Sequence, residues 1–226
     1  MKSAKTPVFF HDKPLFGMDI GHGSLKVMQV EERSKASSKD RHHKVIGYGF
    51  AHFDKSAQRD GVVIQPEVIA QAALDLFQHN LIGDITTGRV ALAIPAYRTF
   101  SRALQLPTFQ AKEMREAVEL EAEQYISMPL EELYVDYEVV KQTDDSTSLF
   151  LVAVPKIIVD SYLDLARIMG LETVLIESTL NSSGRLFSLD SNSGDPALVI
   201  DFGSQSSDIS IFDQHMLVAG TVQGGG

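Results

Sequence analysis

Two short apolar runs, Leu15–Ile20 and Leu25–Val30, flank the polar tetrapeptide Gly21-His22-Gly23-Ser24 near the start of the chain. Runs of this length around a glycine-bearing turn predict a β-hairpin. Val45–Phe53 alternates along its length and predicts a third strand. Pro66 then opens a helix, as proline does at the first helical position. Ile69, Ala73, Leu76 and Phe77 fall on one face of that helix. Arg89–Ile94 is a continuous apolar run closed by Pro95, which suits a buried strand.

A second block follows, from residue 98 to residue 177. Thr99–Leu106 predicts a strand stopped by Pro107, and Ala111–Ile126 a helix with Met114, Val118, Ala122 and Tyr125 on one face. Tyr134–Val140 and Leu149–Val154 predict strands joined by the turn Gln142–Ser148. Pro155 starts a helix over Lys156–Met169, with Gly170 as its stop. Thr173–Ile176 predicts a last strand. The order β-α-β-β-α-β is that of a ferredoxin-like split βαβ unit. Residues 1–14 read as a loosely held tail and Glu31–Lys44 as a solvated loop. Ser178–Leu189 predicts a short helix, and Ser191–Pro196 a linker rich in turn formers.

Charge and composition narrow the functional classes. Lys+Arg 20 against Asp+Glu 30 gives a net charge of −10, which opposes generic binding to nucleic acid or to an anionic membrane. The absence of cysteine excludes disulfides and thiolate catalysis. No run approaches the roughly 18 apolar residues of a membrane span, and the N-terminus lacks the apolar core of a signal peptide. A cytoplasmic chain is expected, reaching a membrane only through a partner.

The chemistry concentrates at two turns. Gly21 and Gly23 permit positive φ and let backbone N–H groups face outward, which can form an anion-binding concavity. Asp19 precedes this turn, and Lys26 after it can add a point charge. An ordinary hairpin needs the same glycines for its turn alone. Ala197–Phe212 repeats the layout, with apolar Leu198–Ile200, then Asp201, Gly203, Ser204 and Gln205, then Ser210–Phe212. Two such hairpins predict two lobes sharing one ligand. At a nucleotide site Asp19 and Asp201 would hold Mg²⁺ through water, because Mg²⁺ dehydrates reluctantly. His42-His43 lacks a companion ligand at a useful spacing, and Glu113, Glu116, Glu119, Glu121 and Glu123 read as a solvated helix face.

Together the two hairpins and the block between them resemble the actin-like ATPase superfamily. Within the block, Arg102–Pro107 (RALQLP), Glu119–Ile126 (ELEAEQYI), the following MPLEE, Val135–Val140 (VDYEVV) and Val152–Pro155 (VAVP) resemble the PilM family of type IV pilus assembly proteins, related to FtsA. The resemblance implies an α/β fold with a ribonuclease-H-like first lobe over residues 15–97 and 178–192. Residues 98–177 would be an inserted partner-binding subdomain, and residues 196–226 the incomplete start of a second lobe. It further implies ATP with Mg, bound by Asp19, Gly21, His22, Gly23, Ser24 and Lys26 and by Asp201, Gly203, Ser204 and Gln205. Gly224, Gly225 and Gly226 would approach the ribose and phosphates. Any ATPase activity would be slow and would belong to the full-length form. The implied partner is the cytoplasmic N-terminal segment of PilN, held in a groove between first lobe and insert, and through it PilO, PilP and the pilus motor.

Two departures alter these expectations. His22 stands where a small hydroxyl residue is common. The chain also stops before an adenosine-binding glycine loop, so it is expected to be a fragment with weakened ATP affinity and an exposed sheet edge that favours self-association. Two other readings remain open. One is a small-molecule kinase using Asp208 as base; the other is a nucleotide-free interaction module whose glycine turns are only structural.

Overall fold

The computed structural model describes residues 13–33, 42–190, 196–204, 206–213 and 215–223. β1 (Phe16–Gly21) and β2 (Ser24–Arg33) form the expected hairpin, and β3 (His42–His52) continues the antiparallel ladder. A two-stranded ribbon of β4 (Gln58–Arg59) and β5 (Val62–Val63) leads into α1 (Pro66–His79). Strands β6 (Leu81–Gly83) and β7 (Arg89–Ile94) follow. The insert contains β8 (Phe100–Pro107), α2 (Ala111–Tyr125), β9 (Leu133–Gln142) and β10 (Ser146–Pro155). The chain then forms α3 (Lys156–Ile168), β11 (Glu172–Ser178) and α4 (Thr179–Asp190). It continues through β12 (Ala197–Phe202), β13 (Ser206–Asp213) and β14 (His215–Gln223).

The main sheet has the order β11-β7-β1-β2-β3-β6. Strand alternation turns Phe16, Met18 and Ile20 of β1, Leu25 and Val27 of β2, and Val90, Leu92 and Ile94 of β7 to one face. α1 covers that face with Ile69, Ala73 and Leu76, and α3 with Ile158, Tyr162 and Leu165. Phe16 and Phe77 meet edge to face at 5.8 Å. Gln29 is buried on this face too, satisfied by Thr86: its Nε2 donates to Oγ1 at 2.9 Å, and Thr86 N donates to its Oε1 at 2.8 Å.

The insert is smaller than its sequence pattern predicts. Its sheet has three strands in the order β8-β10-β9, with α2 packed over one face. Leu104, Met114, Val118, Leu149 and Leu151 lie in this separate core. The remaining two elements of the expected β-α-β-β-α-β unit belong elsewhere. α3 buries Ile158, Tyr162 and Leu165 in the first-lobe core, and β11 pairs in parallel with β7. The insert is therefore β-α-β-β, ending near Pro155 rather than at residue 177. A parallel strand needs a crossover helix on the sheet face, and α3 supplies it to β7–β11.

Other boundaries shift as well. β2 and β3 pair out to Arg33 and His42, so only residues 34–41 of the expected loop lack a described strand, and they lie outside the described residues. Residues 1–12 of the expected tail and residues 191–195 of the linker also lie outside them. Lys13 and Pro14 are held, because the Arg89 guanidinium donates to both carbonyls, at 3.1 and 3.4 Å. Tyr125 is half-exposed rather than core, with the Arg102 guanidinium 3.5 Å above its ring. β14 adds a third strand to the expected β12–β13 hairpin. One face of this second sheet leaves Leu198, Ile200, Phe202, Ile209 and Ile211 exposed.

Candidate functional site

The first turn is built on a buried support. Tyr162, from α3, is fully buried and donates its hydroxyl proton toward Ile20 O at 3.4 Å, while Gln58 Nε2 donates to the same hydroxyl at 2.9 Å. Burial pushes the Tyr162 phenol far above its usual range, with the Asp19 and Tyr97 charges adding to the rise and the Gln58 hydrogen bond opposing it. Above this network β1 ends and the chain turns through His22-Gly23. Of the two glycines that permit positive φ, Gly23 uses it, at +88°, whereas Gly21 is paired with Ser24 in the ladder. A single left-handed residue at the third position is what a type II turn requires. Phe53 N donates to Gly23 O at 3.1 Å, tying the turn to the end of β3.

Lys55 also belongs to this turn, and no local pattern marks it. Its aliphatic stem lies so close that a Cβ on Gly23 would meet Lys55 Cγ at 2.7 Å. Lys26 stands opposite Asp19 in the ladder, and its Nζ lies 3.1 Å from Asp19 Oδ2. The Lys26 side chain is 59% exposed, so this pair is a weak surface contact that an anion could draw apart.

Asp19 and Lys26 sit on the sheet face opposite α1 and α3. Two rows cross that face in register. One runs Leu175, Ala91, Gly17, Met28, Tyr48, Ile82; the next runs Glu177, Ala93, Asp19, Lys26, Phe50. Small residues at the centre and larger ones at the side leave a trough, and the cavity over it has a volume of about 760 Å³. Glu177 and Ser182 close one side, with Ser182 Oγ donating to Glu177 Oε1 at 3.0 Å.

The second turn is equally well formed. Gly203 N donates to Ser206 O at 2.9 Å, and a Cβ on Gly203 would meet that same oxygen at 2.9 Å. Ser204 is exposed at the tip, and Gln205, Gly224, Gly225 and Gly226 lie outside the described residues. Asp201 lines a small hollow with Asp208, Ser210, Thr179, Leu180 and Ser183. Tyr97, on the turn after β7, lies close enough to Asp208 to feel its charge. Burial raises the Tyr97 phenol, Arg98 opposes that rise, and Asp60 and Asp208 add to it. Arg98 Nη2 in turn lies 2.8 Å from Asp60 Oδ1.

The two expected aspartates therefore line separate hollows. The first turn of α4 stands between them, with Ser182 on the Asp19 side and Thr179, Leu180 and Ser183 on the Asp201 side. The first hairpin fits an anion, through its glycine turn with Lys26 and Lys55 beside it.

Residues 17–223 match the family described as type IV pilus assembly protein PilM. The chain belongs to the PilM family. No curated protein sequence matches it. Among solved structures it resembles a PilM–PilN type IV pilus biogenesis complex, with a TM-score of 0.77 at 22% identity over 92% of this chain. It spans 61% of the length of that PilM chain. It also resembles the cytoplasmic domain of EpsL, an inner-membrane component of the type II secretion system of Vibrio cholerae. That match has a TM-score of 0.54 at 10% identity, over 93% of this chain and 71% of the other. The chain shares its mixed α/β fold with both of these structures. Among the described residues no helix is long and apolar enough to cross a membrane.

Proposed function

We propose that this PilM-family chain is an actin-like scaffold of type IV pilus assembly that holds the N-terminal cytoplasmic segment of PilN beside the inner membrane. The observation that carries this reading is the match to the PilM family over residues 17–223. The likeness to PilM in a PilM–PilN complex supports PilN as the partner. The insert is the surface best suited to that task. It has its own core, and β9 presents Tyr134, Asp136 and Glu138 on the face turned away from α2, all exposed. Tyr134 bridges to the first lobe through Asp160, its hydroxyl donating to Oδ1 at 3.0 Å, with Lys156 Nζ 5.5 Å from its ring centre. A segment lying along this junction would touch both parts of the protein. PilO, PilP and the pilus motor would be reached through PilN, and the exposed apolar face of the second sheet supports self-association.

ATP would be held by its phosphates at the first hairpin, through the backbone of Gly21-His22-Gly23-Ser24 with Lys26 and Lys55. Bound with Mg²⁺ it would supply a switchable ligand between the lobes. Asp201, Gly203 and Ser204 would approach it only if the second hairpin moved toward Asp19. A nucleotide-free interaction module is the second reading, favoured by the separate hollows of those two aspartates. A kinase is disfavoured because Asp208 is buried against a hollow of about 10 Å³, too small for a substrate hydroxyl and its carbon frame.

Calorimetric titration with a peptide of the PilN cytoplasmic segment, with and without Mg-ATP, tests the reading. Saturable binding in either condition supports the scaffold. Binding that is unaffected by nucleotide, with no thermal shift at millimolar Mg-ATP, favours the nucleotide-free module. Absence of peptide binding in both conditions contradicts the scaffold.

A further inference from the structure

We propose that α3 links the partner surface of the insert to the first turn, with Asp160, Ser161 and Tyr162 as positioning residues. What occupies the junction at Tyr134 then sets the geometry of the turn. Its use in regulation rests on the reading of the insert as the partner-holding surface. Three consecutive residues of this one helix touch three separate parts of the chain. Asp160 Oδ1 accepts from the Tyr134 hydroxyl of β9 at 3.0 Å. Ser161 Oγ accepts from Val63 N of β5 at 3.1 Å and donates to Ile158 O at 2.7 Å. Tyr162 donates toward Ile20 O at 3.4 Å and accepts from Gln58 Nε2 at 2.9 Å. Residues two apart on a helix point roughly 200° from each other around its axis. α3 therefore carries an exposed contact on one side and a buried one on the other. No linker separates it from the insert: β10 ends at Pro155 and α3 begins at Lys156.

The buried end grips the turn from both sides. Ile20 leads into the turn on β1, and Gln58 directly follows the 3₁₀ turn Lys55–Ala57 that sets Lys55 beside Gly23. One hydroxyl thus ties the strand entering the turn to the segment that carries Lys55. Its two bonds differ in length. O–H···O bonds cluster near about 2.7–2.8 Å. The 3.4 Å to Ile20 O lies at the long limit, so a sub-ångström shift of α3 makes or breaks it. α3 buries Ile158, Tyr162, Leu165 and Ala166, and a close-packed core transmits such a shift rather than absorbing it. A segment seated on Tyr134 and Asp160 acts on the helix from its exposed side, and an anion that orders the turn acts from the other. Each ligand then alters the affinity of the other by the same factor.

Amide hydrogen exchange on the whole chain tests the link, read at Gly21–Ser24 and at Phe53, whose N–H donates to Gly23 O. Val90 and Leu92 of β7 serve as the internal reference. Tyr134→Phe removes only an exposed hydroxyl and should speed exchange at the turn severalfold while the β7 amides hold. Tyr162→Phe should speed it too, and the double variant should exchange at the turn no faster than Tyr162→Phe alone. A saturating peptide of the PilN cytoplasmic segment should change exchange at the turn in the parent and leave it unchanged in Tyr162→Phe. Unaltered turn exchange in Tyr134→Phe, effects of the two variants that multiply, or a bound peptide that leaves the parent's turn as it was, overturns the proposal. A peptide that does not bind contradicts the scaffold reading alone, because the comparison of variants needs no partner and still decides the link.

Discussion

Gln58 and Tyr162, 104 positions apart in the chain, meet in the first-lobe core, where Gln58 Nε2 donates to the tyrosine hydroxyl at 2.9 Å directly beneath the end of β1. Replacing Tyr162 with phenylalanine leaves the Gln58 amide buried without that acceptor. A loss of about 1–3 kcal/mol is expected in urea-induced unfolding. The tyrosine also sets an alkaline limit. Its folded pKa is raised, so the native state keeps the proton that the unfolded chain releases near its ordinary value of about 10. Stability is therefore fully present below about pH 10 and falls as pH rises above it. Tyr162→Phe should flatten that fall.

Gly23 tests the first turn. With φ at +88° and Lys55 Cγ at 2.7 Å from an added Cβ, Gly23→Ala combines backbone strain with a clash. The backbone part costs about 1–2 kcal/mol. Adding Lys55→Ala should recover the steric part and leave the backbone part. A double-mutant cycle by thermal unfolding measures the difference, and full additivity of the two changes would place Lys55 away from the turn.

Lys26 separates affinity from stability. Its contact with Asp19 is exposed, so Lys26→Ala should change stability by less than about 1 kcal/mol. If Lys26 contacts a phosphate, the same change should weaken Mg-ATP binding by about tenfold or more, as expected for a charged hydrogen bond of about 1.5–3 kcal/mol. Paired thermal unfolding and nucleotide titration check both halves.

Much of this arrangement was legible in the chain and some was not. The hairpin follows from the apolar runs Leu15–Ile20 and Leu25–Val30 and the turn between them, although β2 runs on to Arg33 through charged residues read as loop; Asp19 opposite Lys26 follows from its register. α3 was legible as a helix but not as part of the first lobe. Ile158, Tyr162 and Leu165 make an apolar stripe that would fit either sheet equally well. Only the parallel pairing of β11 with β7, brought together across the whole insert, decides between them. Lys55 was invisible because its contact with Gly23 is made by the path of the chain after β3, not by local spacing. The Asp201–Asp208 pair was in reach, since a turn closed by Gly203 N and Ser206 O fixes that register.

The two cores should respond separately. Leu149 is buried in the insert, and Leu149→Ala should cost about 2–5 kcal/mol there. Hydrogen exchange is expected to accelerate in β8, α2, β9 and β10 while the amides of β1 and β7 keep their protection. Uniform acceleration across both sheets would mean a single cooperative unit.

The most direct test of the scaffold role is hydrogen exchange on this chain with and without a peptide of the PilN cytoplasmic segment. Protection is expected to concentrate in β9 and at its junction with α3, around Tyr134 and Asp160. Protection confined to the trough over Met28, Tyr48 and Ile82, or no protection anywhere at saturating peptide, would contradict the assignment of the insert as the partner-holding surface.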